Sequence, residues 1–279
     1  MKKIDQKAAW LVAQGALFSC PVCQQVMVPE GHSLVCPQQH RFDLAKKGTV
    51  NFLNAPVKTE YTAPMLAARR RVLDAGLFAP FVDQIAAQLS GSERVLDVGC
   101  GEGTPTAALA TSSAATVGFD ISAPAIQLAG ALATGAFFCV ADLARLPFVA
   151  NSFDVIVDLF SPGAYAEFDR VLRPGGRLFK VIPDSDYLRE LRQGLYAGTP
   201  KGTYSNQPVL DRFMTAYPEA TRTPITYDFP VDAAQFADVV AMTPLSWQAP
   251  ADKRKALLQQ PPASVHVAVQ LLQMTKSRA

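Results

Sequence analysis

The stretch RVLDVGCGEG, residues 94–103, runs an apolar strand pattern directly into Gly99, Gly101 and Gly103. Glycines in that position let the backbone turn sharply and approach a ligand closely, with the N-terminus of the next helix facing it. The spacing is G-x-G-x-G rather than the dinucleotide pattern G-x-G-x-x-G, and Asp97 sits inside the strand just before the loop. Working outward, strand patterns ATVGFD (115–120), AFFCVAD (136–142) and FDVIVDLF (153–160) alternate with helices beginning near residues 104 and 123. RVLRPGGRLFKVIP (170–183) reads as a helix ending in a Pro-Gly-Gly turn and then another buried strand. TPITYDFPV (223–231) and SVHVAVQLLQMT (264–275) read as two further strands flanking a helix, DAAQFADVVAMT (232–243). Alternation of this kind predicts right-handed crossovers and an α/β fold, a mostly parallel sheet covered on both faces.

Acids recur at the strand ends. Asp120 closes the second strand, where a carboxylate accepts hydrogen bonds from the two hydroxyls of a ribose, and Asp142 closes the third, where an adenine edge would lie. Three such features in order, about twenty residues apart, are hard to obtain by chance. The alternatives are a nicotinamide dehydrogenase of the same topology, or glycines and acids that merely shape turns and caps.

A second cluster lies near the start, in FSCPVCQQVMVPEGHSLVCPQQHRFD (18–43). Cys20-x2-Cys23 and Cys36-x3-His40, twelve residues apart, match the spacing of structural zinc sites. Four protein ligands leave no open position, so such a metal holds the fold rather than performing chemistry. Redox use of Cys20 and Cys23 competes with this reading, but no βαβ pattern surrounds them; coincidence is the third. His32 falls in the loop between the two knuckles, and Cys100 and Cys139 are read as packing residues.

The 279 residues are 49% apolar, enough for one large domain and a small one. The net charge of +2 conceals an asymmetry: residues 1–80 carry ten Lys/Arg against five Asp/Glu, and residues 81–279 sixteen against nineteen. Arg41, Lys46, Lys47, Arg69, Arg70 and Arg71 supply most of the excess, which points to a polyanionic partner for the N-terminal third or to an ordinary solvated surface. The start imitates a secretory signal, yet Asp5, Gln6 and Lys7 interrupt the n-region and Gln14 with Gly15 shortens the apolar run below the ~7–15 residues needed. No stretch reaches the ~18 apolar residues of a membrane span. The expected location is therefore the cytoplasm, a reducing compartment in which close cysteines favour metal over disulfides.

The glycine loop with its three acids resembles the class I S-adenosylmethionine-dependent methyltransferases. That resemblance implies a Rossmann-like domain with a mostly parallel seven-stranded sheet, in which the loop contacts the methionine part of the cofactor, Asp120 the ribose and Asp142 the adenine. The ordered set CPVC, CPQQHRFDLAKKGTVNFL, MLAARRRVLDAGLF, VLDVGCGEG, RVLRPGG and AMTPLSW resembles the RlmA family, guanine-N1 methyltransferases of large-subunit ribosomal RNA. The family implies zinc held by Cys20, Cys23, Cys36 and His40, and a zinc module that recognises a 23S ribosomal RNA hairpin. It implies cofactor binding by Phe78, Asp97, Gly99, Gly101, Gly103, Pro105, Thr106, Asp120, Asp142 and Tyr187. Phe78 stands where tyrosine is more usual, and Ser161 and Pro162 occupy a segment near the target base. No general base is assigned and a homodimer is left open. The division expected is 1–53 (helix and zinc module), 54–92 (linker and helices) and 93–279 (methyltransferase domain).

Overall fold

The computed structural model describes Met1–Arg278. In chain order it contains α1 (Lys3–Gln14), β1 (Val28–Glu30), β2 (Ser33–Val35), β3 (Arg41–Asp43), β4 (Val50–Asn51), α2 (Ala63–Asp74), α3 (Ala79–Ala86), β5 (Arg94–Val98), α4 (Thr104–Leu109) and β6 (Ala115–Asp120). There follow α5 (Ala123–Ala129), β7 (Phe137–Val140), β8 (Phe153–Leu159), α6 (Tyr165–Val171), β9 (Leu172–Pro183), α7 (Arg189–Tyr196), α8 (Gln207–Ala216), β10 (Thr221–Pro230), α9 (Ala233–Met242), α10 (Pro244–Trp247), α11 (Ala251–Gln259) and β11 (Ser264–Thr275). No helix among the described residues is long and apolar enough to cross a membrane.

The described residues group into two compact units, the first made of 1–62, 82–179 and 275–278, the second of 63–81 and 180–274. In the first, β9, β8, β5, β6, β7 and β4 are neighbours in that order, and β5 pairs in parallel with both β6 and β8. Val95, Leu96 and Val98 on β5 and Val155, Ile156 and Val157 on β8 are fully buried. Unbroken apolar runs of this kind suit strands covered on both faces. The register sets Val98 beside both Phe119 and Asp158, and Asp120 beside Val140. The glycine loop, Asp120, Asp142 and Ser161 therefore all leave the carboxyl edge of one parallel sheet, where α/β folds bind ligands.

The seven strands expected, β5 to β11, are all present among the described residues, and the sheet of the first unit adds β4, contributed by the N-terminal segment. It lies parallel to β7, with Val50 opposite Cys139. The first unit also holds a separate three-stranded antiparallel sheet, β1–β2–β3. The N-terminal helix stops at Gln14, where Gly15 turns with φ +61° and Phe18 then enters a bridge with Phe148. Lys7 secures α1: its buried ammonium donates to the carbonyls of Thr134, Gly135 and Ala136.

In the second unit, β10, β11 and the end of β9 are neighbours, and β10 pairs antiparallel with β11 along ten residues. Helix α9 begins with a capping box, Asp232 accepting from the Gln235 N–H and the Gln235 side chain accepting from the Asp232 N–H. The Pro-Gly-Gly segment corrects the sequence reading. Arg173–Gly176 already belong to β9, and within the first unit Gly175 N–H donates to the Lys276 carbonyl at 2.9 Å while Lys276 N–H donates to Gly176 at 2.8 Å. With φ +76°, Gly175 is a kink within a paired strand rather than a free turn.

Candidate functional site

Two tight knuckles bring Cys20, Cys23, Cys36 and His40 together. In the first, Gln24 N–H donates to the Cys20 carbonyl at 2.7 Å and Gln24 takes φ +63°; in the second, Gln39 N–H donates to the Cys36 carbonyl at 2.8 Å with φ +62°. The four ligand atoms lie within 4.8 Å of one another. Cys23 Sγ is 3.6 Å from Cys36 Sγ, and His40 Nδ1 is 3.5 Å from Cys20 Sγ and 3.3 Å from Cys36 Sγ. A tetrahedron with metal–sulfur bonds of about 2.3 Å and a metal–nitrogen bond of about 2.0 Å has edges of roughly 3.5–3.8 Å. The donor set and its spacing thus fit Zn²⁺ and are far too open for a disulfide, whose sulfurs sit about 2.05 Å apart. Burial opposes ionisation of Cys36, but the His40 backbone, Cys23 and the His40 side chain outweigh it and bring the thiol down to about 7, ready to ligate as thiolate. His32 stands outside the cluster and pairs with Asp5 at 2.9 Å.

At the carboxyl edge of the sheet, Gly99, Gly101 and Gly103 have φ of +63°, +57° and +91°. A Cβ on Gly99 would collide with Ser161, and one on Gly103 would stand 2.8 Å from the Ala129 Cβ and 3.0 Å from the Phe138 ring. The loop therefore requires glycine both for its backbone and for its packing. Asp120 Oδ2 accepts from the Gly101 N–H at 2.9 Å and Oδ1 from the Ser122 N–H at 2.8 Å, so the acid is fixed at the rim of the loop and only half-buried. A loop of backbone N–H groups beside an oriented carboxylate fits a ligand that presents both an anionic carboxylate and a ribose diol, as S-adenosylmethionine does.

Asp97 and Thr106 are both buried, and Thr106 Oγ1 donates to Asp97 Oδ2 at 2.5 Å, tying the end of β5 to α4. Pro105 fills the first turn of that helix. Asp142 is exposed, and its Oδ1 accepts from the Ala144 N–H at 2.9 Å. Asp158 is buried and accepts from the Ser161 N–H at 3.0 Å, which orients the segment after β8. Burial pushes the thiols of Cys100 and Cys139 up, the inert packing role expected of them.

Phe78 and Tyr187 belong to the second unit. Phe78 is buried, its ring centroid 4.9 Å from that of Phe81, with the Arg69 guanidinium 5.3 Å above its ring. Tyr187 is half-buried; burial raises its phenol and Arg69 partly offsets the rise. Tyr227 Oη donates to the Leu77 carbonyl at 2.5 Å, holding the residue before Phe78. Of the basic residues singled out by composition, Arg71 is committed to a bidentate pair with Asp238 at 2.6 and 2.7 Å, and Arg41 pairs with Glu30 at 2.7 Å.

Sequence reasoning passed over Glu102, fully buried inside the glycine loop, which accepts from Thr104 Oγ1 at 2.8 Å. Its place just ahead of α4 was the available signal, since acids favour helix N-termini. It also passed over Gln24 and Arg145. With its amide oxygen turned toward the guanidinium, Gln24 accepts from Arg145 Nη2 at 2.8 Å and Nε at 3.0 Å.

The comparisons with known proteins agree with both halves of this architecture. The family described as "RlmA, N-terminal" matches residues 18–60, and that described as "Methyltransferase domain" matches residues 95–176. YxjB of Bacillus subtilis (strain 168), named as a candidate 23S rRNA (guanine-N1)-methyltransferase, is 40% identical over 271 residues, covering 92% of this chain and 96% of its own. The 23S rRNA (guanine(748)-N(1))-methyltransferase of Streptomyces fradiae is 32% identical over 248 residues, covering 84% and 87%. Among solved structures, the YcgJ protein of Bacillus subtilis aligns with a TM-score of 0.50 at 18% identity, covering 72% of this chain and 98% of its own, a likeness of fold. With a Cys3His cluster, a glycine loop and full-length relatives of this identity, the chain belongs to the RlmA family of 23S ribosomal RNA guanine-N1 methyltransferases.

Proposed function

We propose that this protein transfers a methyl group from S-adenosylmethionine to N1 of one guanine in a hairpin loop of 23S ribosomal RNA, acting in the cytoplasm. The observation that carries this reading is that similarity to relatives named for that reaction runs along 84–92% of the chain, zinc ribbon and glycine loop together. S-adenosylmethionine supplies the electrophilic methyl carbon.

The chain's own residues then have separable tasks. Backbone N–H groups of Gly99–Gly103 receive the amino-acid end of the cofactor, Asp120 accepts from the ribose hydroxyls and Asp142 faces the adenine. Asp97 and Thr106 hold the loop from beneath, and Phe78 and Tyr187 pack against the cofactor. Ser161 and Pro162, positioned by Asp158, line the guanine pocket. Methyl transfer to a ring nitrogen is an in-line displacement, so fixing donor and acceptor in contact supplies much of the acceleration. Guanine N1 carries a proton at neutral pH and lies on the Watson–Crick edge, so the base must be splayed out of the loop to react, and that proton passes to water as N1 takes the methyl group and S-adenosylhomocysteine leaves. The zinc-braced segment, 1–53, with Lys46 and Lys47 exposed on it, is assigned to RNA capture; 54–92 links it to the methyltransferase domain, 93–279.

N1-methylguanine blocks base pairing and stops reverse transcription. Primer extension on 23S ribosomal RNA from a deletion strain is expected to lose one strong stop, restored by the wild-type gene. An unchanged stop pattern, or purified protein that methylates small metabolites while leaving 23S ribosomal RNA untouched, would overturn the assignment.

A further inference from the structure

The zinc ribbon and the Asp142 loop are joined by a short ladder. Ser19 N–H donates to the Pro147 carbonyl at 3.0 Å, Val149 N–H donates to the Leu17 carbonyl at 3.0 Å, and Phe18 packs on Phe148 with ring centroids 5.4 Å apart. The next residue after Ser19 is the metal ligand Cys20. On its other side the loop is gripped by α6: Glu167 accepts from the Leu146 N–H at 2.7 Å, and Arg170 donates to the carbonyls of Phe148 at 2.7 Å and Leu146 at 2.9 Å. These contacts fix residues 146–149, the half of the loop farther from Asp142.

The nearer half is reached by Arg145. Its N–H donates to the Asp142 carbonyl at 3.1 Å, closing the turn in which the Ala144 N–H holds the Asp142 carboxylate. Its guanidinium meets Gln24 through both Nη2 and Nε. Gln24 follows Cys23 and is held in the left-handed region by the knuckle itself. A non-glycine residue stays in that conformation only where surrounding structure enforces it.

We propose that Gln24 and Arg145 are positioning residues that couple metal occupancy to cofactor affinity: the metal sets the Gln24 backbone, Gln24 holds Arg145, and Arg145 fixes the turn bearing Asp142. This rests on the reading of Asp142 as a cofactor-binding residue. The coupling is reciprocal, so cofactor must tighten the metal by the factor with which the metal tightens cofactor.

The test measures zinc affinity of the full-length protein by equilibrium competition with a chromophoric chelator, with and without saturating S-adenosylhomocysteine, whose own binding is followed by calorimetry. In the wild type S-adenosylhomocysteine is expected to raise zinc affinity about fivefold or more. Gln24→Ala and Arg145→Ala should each bring that ratio toward one while still binding one zinc per chain. Gln24→Glu, which keeps the acceptor oxygen, should retain it, a rescue that a general loss of stability would not give. Arg145→Lys, which keeps the charge but loses the fork, should fall between. Zinc affinity indifferent to S-adenosylhomocysteine in a wild type that binds it overturns the coupling and leaves the methyltransferase reading standing. A full ratio in both alanine variants overturns the clamp, and failure of the wild type to bind S-adenosylhomocysteine overturns both.

Discussion

Asp120 shapes the glycine loop from its rim. Its oxygens accept from the Gly101 and Ser122 N–H groups, and the proposed function gives the same carboxylate the ribose hydroxyls as well. Replacing it by Asn swaps one acceptor oxygen for an N–H donor that faces other donors. Hydrogen bonds to a charged partner contribute about 1.5–3 kcal/mol, which corresponds to roughly 10–150-fold weaker S-adenosylmethionine binding for Asp120→Asn. Calorimetry showing wild-type affinity would remove Asp120 from the site. The basic triplet was less legible. Composition treats Arg69, Arg70 and Arg71 alike, whereas only the fold reveals that Asp238, 167 residues away, claims Arg71 and that the Phe78 ring lies beneath Arg69. Arg71→Ala is therefore expected to lower the thermal midpoint and leave RNA affinity nearly unchanged. Lys46→Ala, on an exposed turn, is expected to do the reverse and to reduce the slope of log affinity against log salt by about 0.7–0.9. Titrations of both variants at several salt concentrations check the pair, and equal slopes for Lys46→Ala and wild type would sink the assignment.

At the scale of elements, β5 to β8 were readable because unbroken runs of Val, Ile, Leu and Phe signal burial on both faces, a property local to each strand. The zinc ligands were readable for the same reason: a metal knuckle is a short-range object whose spacing is written in consecutive residues. Strand β9 was misread at its start because a Pro-Gly-Gly segment has strong local turn character, and its strand partner lies a hundred residues later in the chain. Lys276 explains why the pairing holds. Its backbone closes the ladder with Gly175 and Gly176, and its ammonium donates to the carbonyls of Asp169 at 2.6 Å and Leu172 at 2.7 Å, where a cation also faces the negative end of α6. Lys276→Ala keeps the backbone pairs but leaves those carbonyls to water, at a cost of about 1–2 kcal/mol. Thermal denaturation of the variant should show a midpoint lower than wild type by several degrees. An unaltered midpoint would mean that the backbone pairs suffice.

For the molecule as a whole, the modular order was legible and the seams between modules were not. Nothing local in VN at 50–51 announces that two residues of the N-terminal segment extend the parallel sheet, or that Phe18 bridges to Phe148. The ligand-bearing ribbon, with three strands of three residues each between Cys20 and Asp43, is below the ~40 residues under which a domain usually needs a metal or another staple. The closed four-ligand cluster must therefore supply much of its folding free energy. Removing the metal with a chelator at neutral pH is expected to abolish amide hydrogen-exchange protection across residues 20–43. The amides of β5, β6 and β8 should keep theirs, because their core is made of buried Val, Leu, Ile and Phe side chains that need no metal to pack. The amides of Ser19 and Val149, which donate across the seam to the carbonyls of Pro147 and Leu17, should show intermediate loss. Full protection of residues 20–43 after zinc removal, verified by elemental analysis, would show that the cluster is dispensable for the ribbon. Loss of protection throughout the sheet would show that the metal holds the larger fold as well.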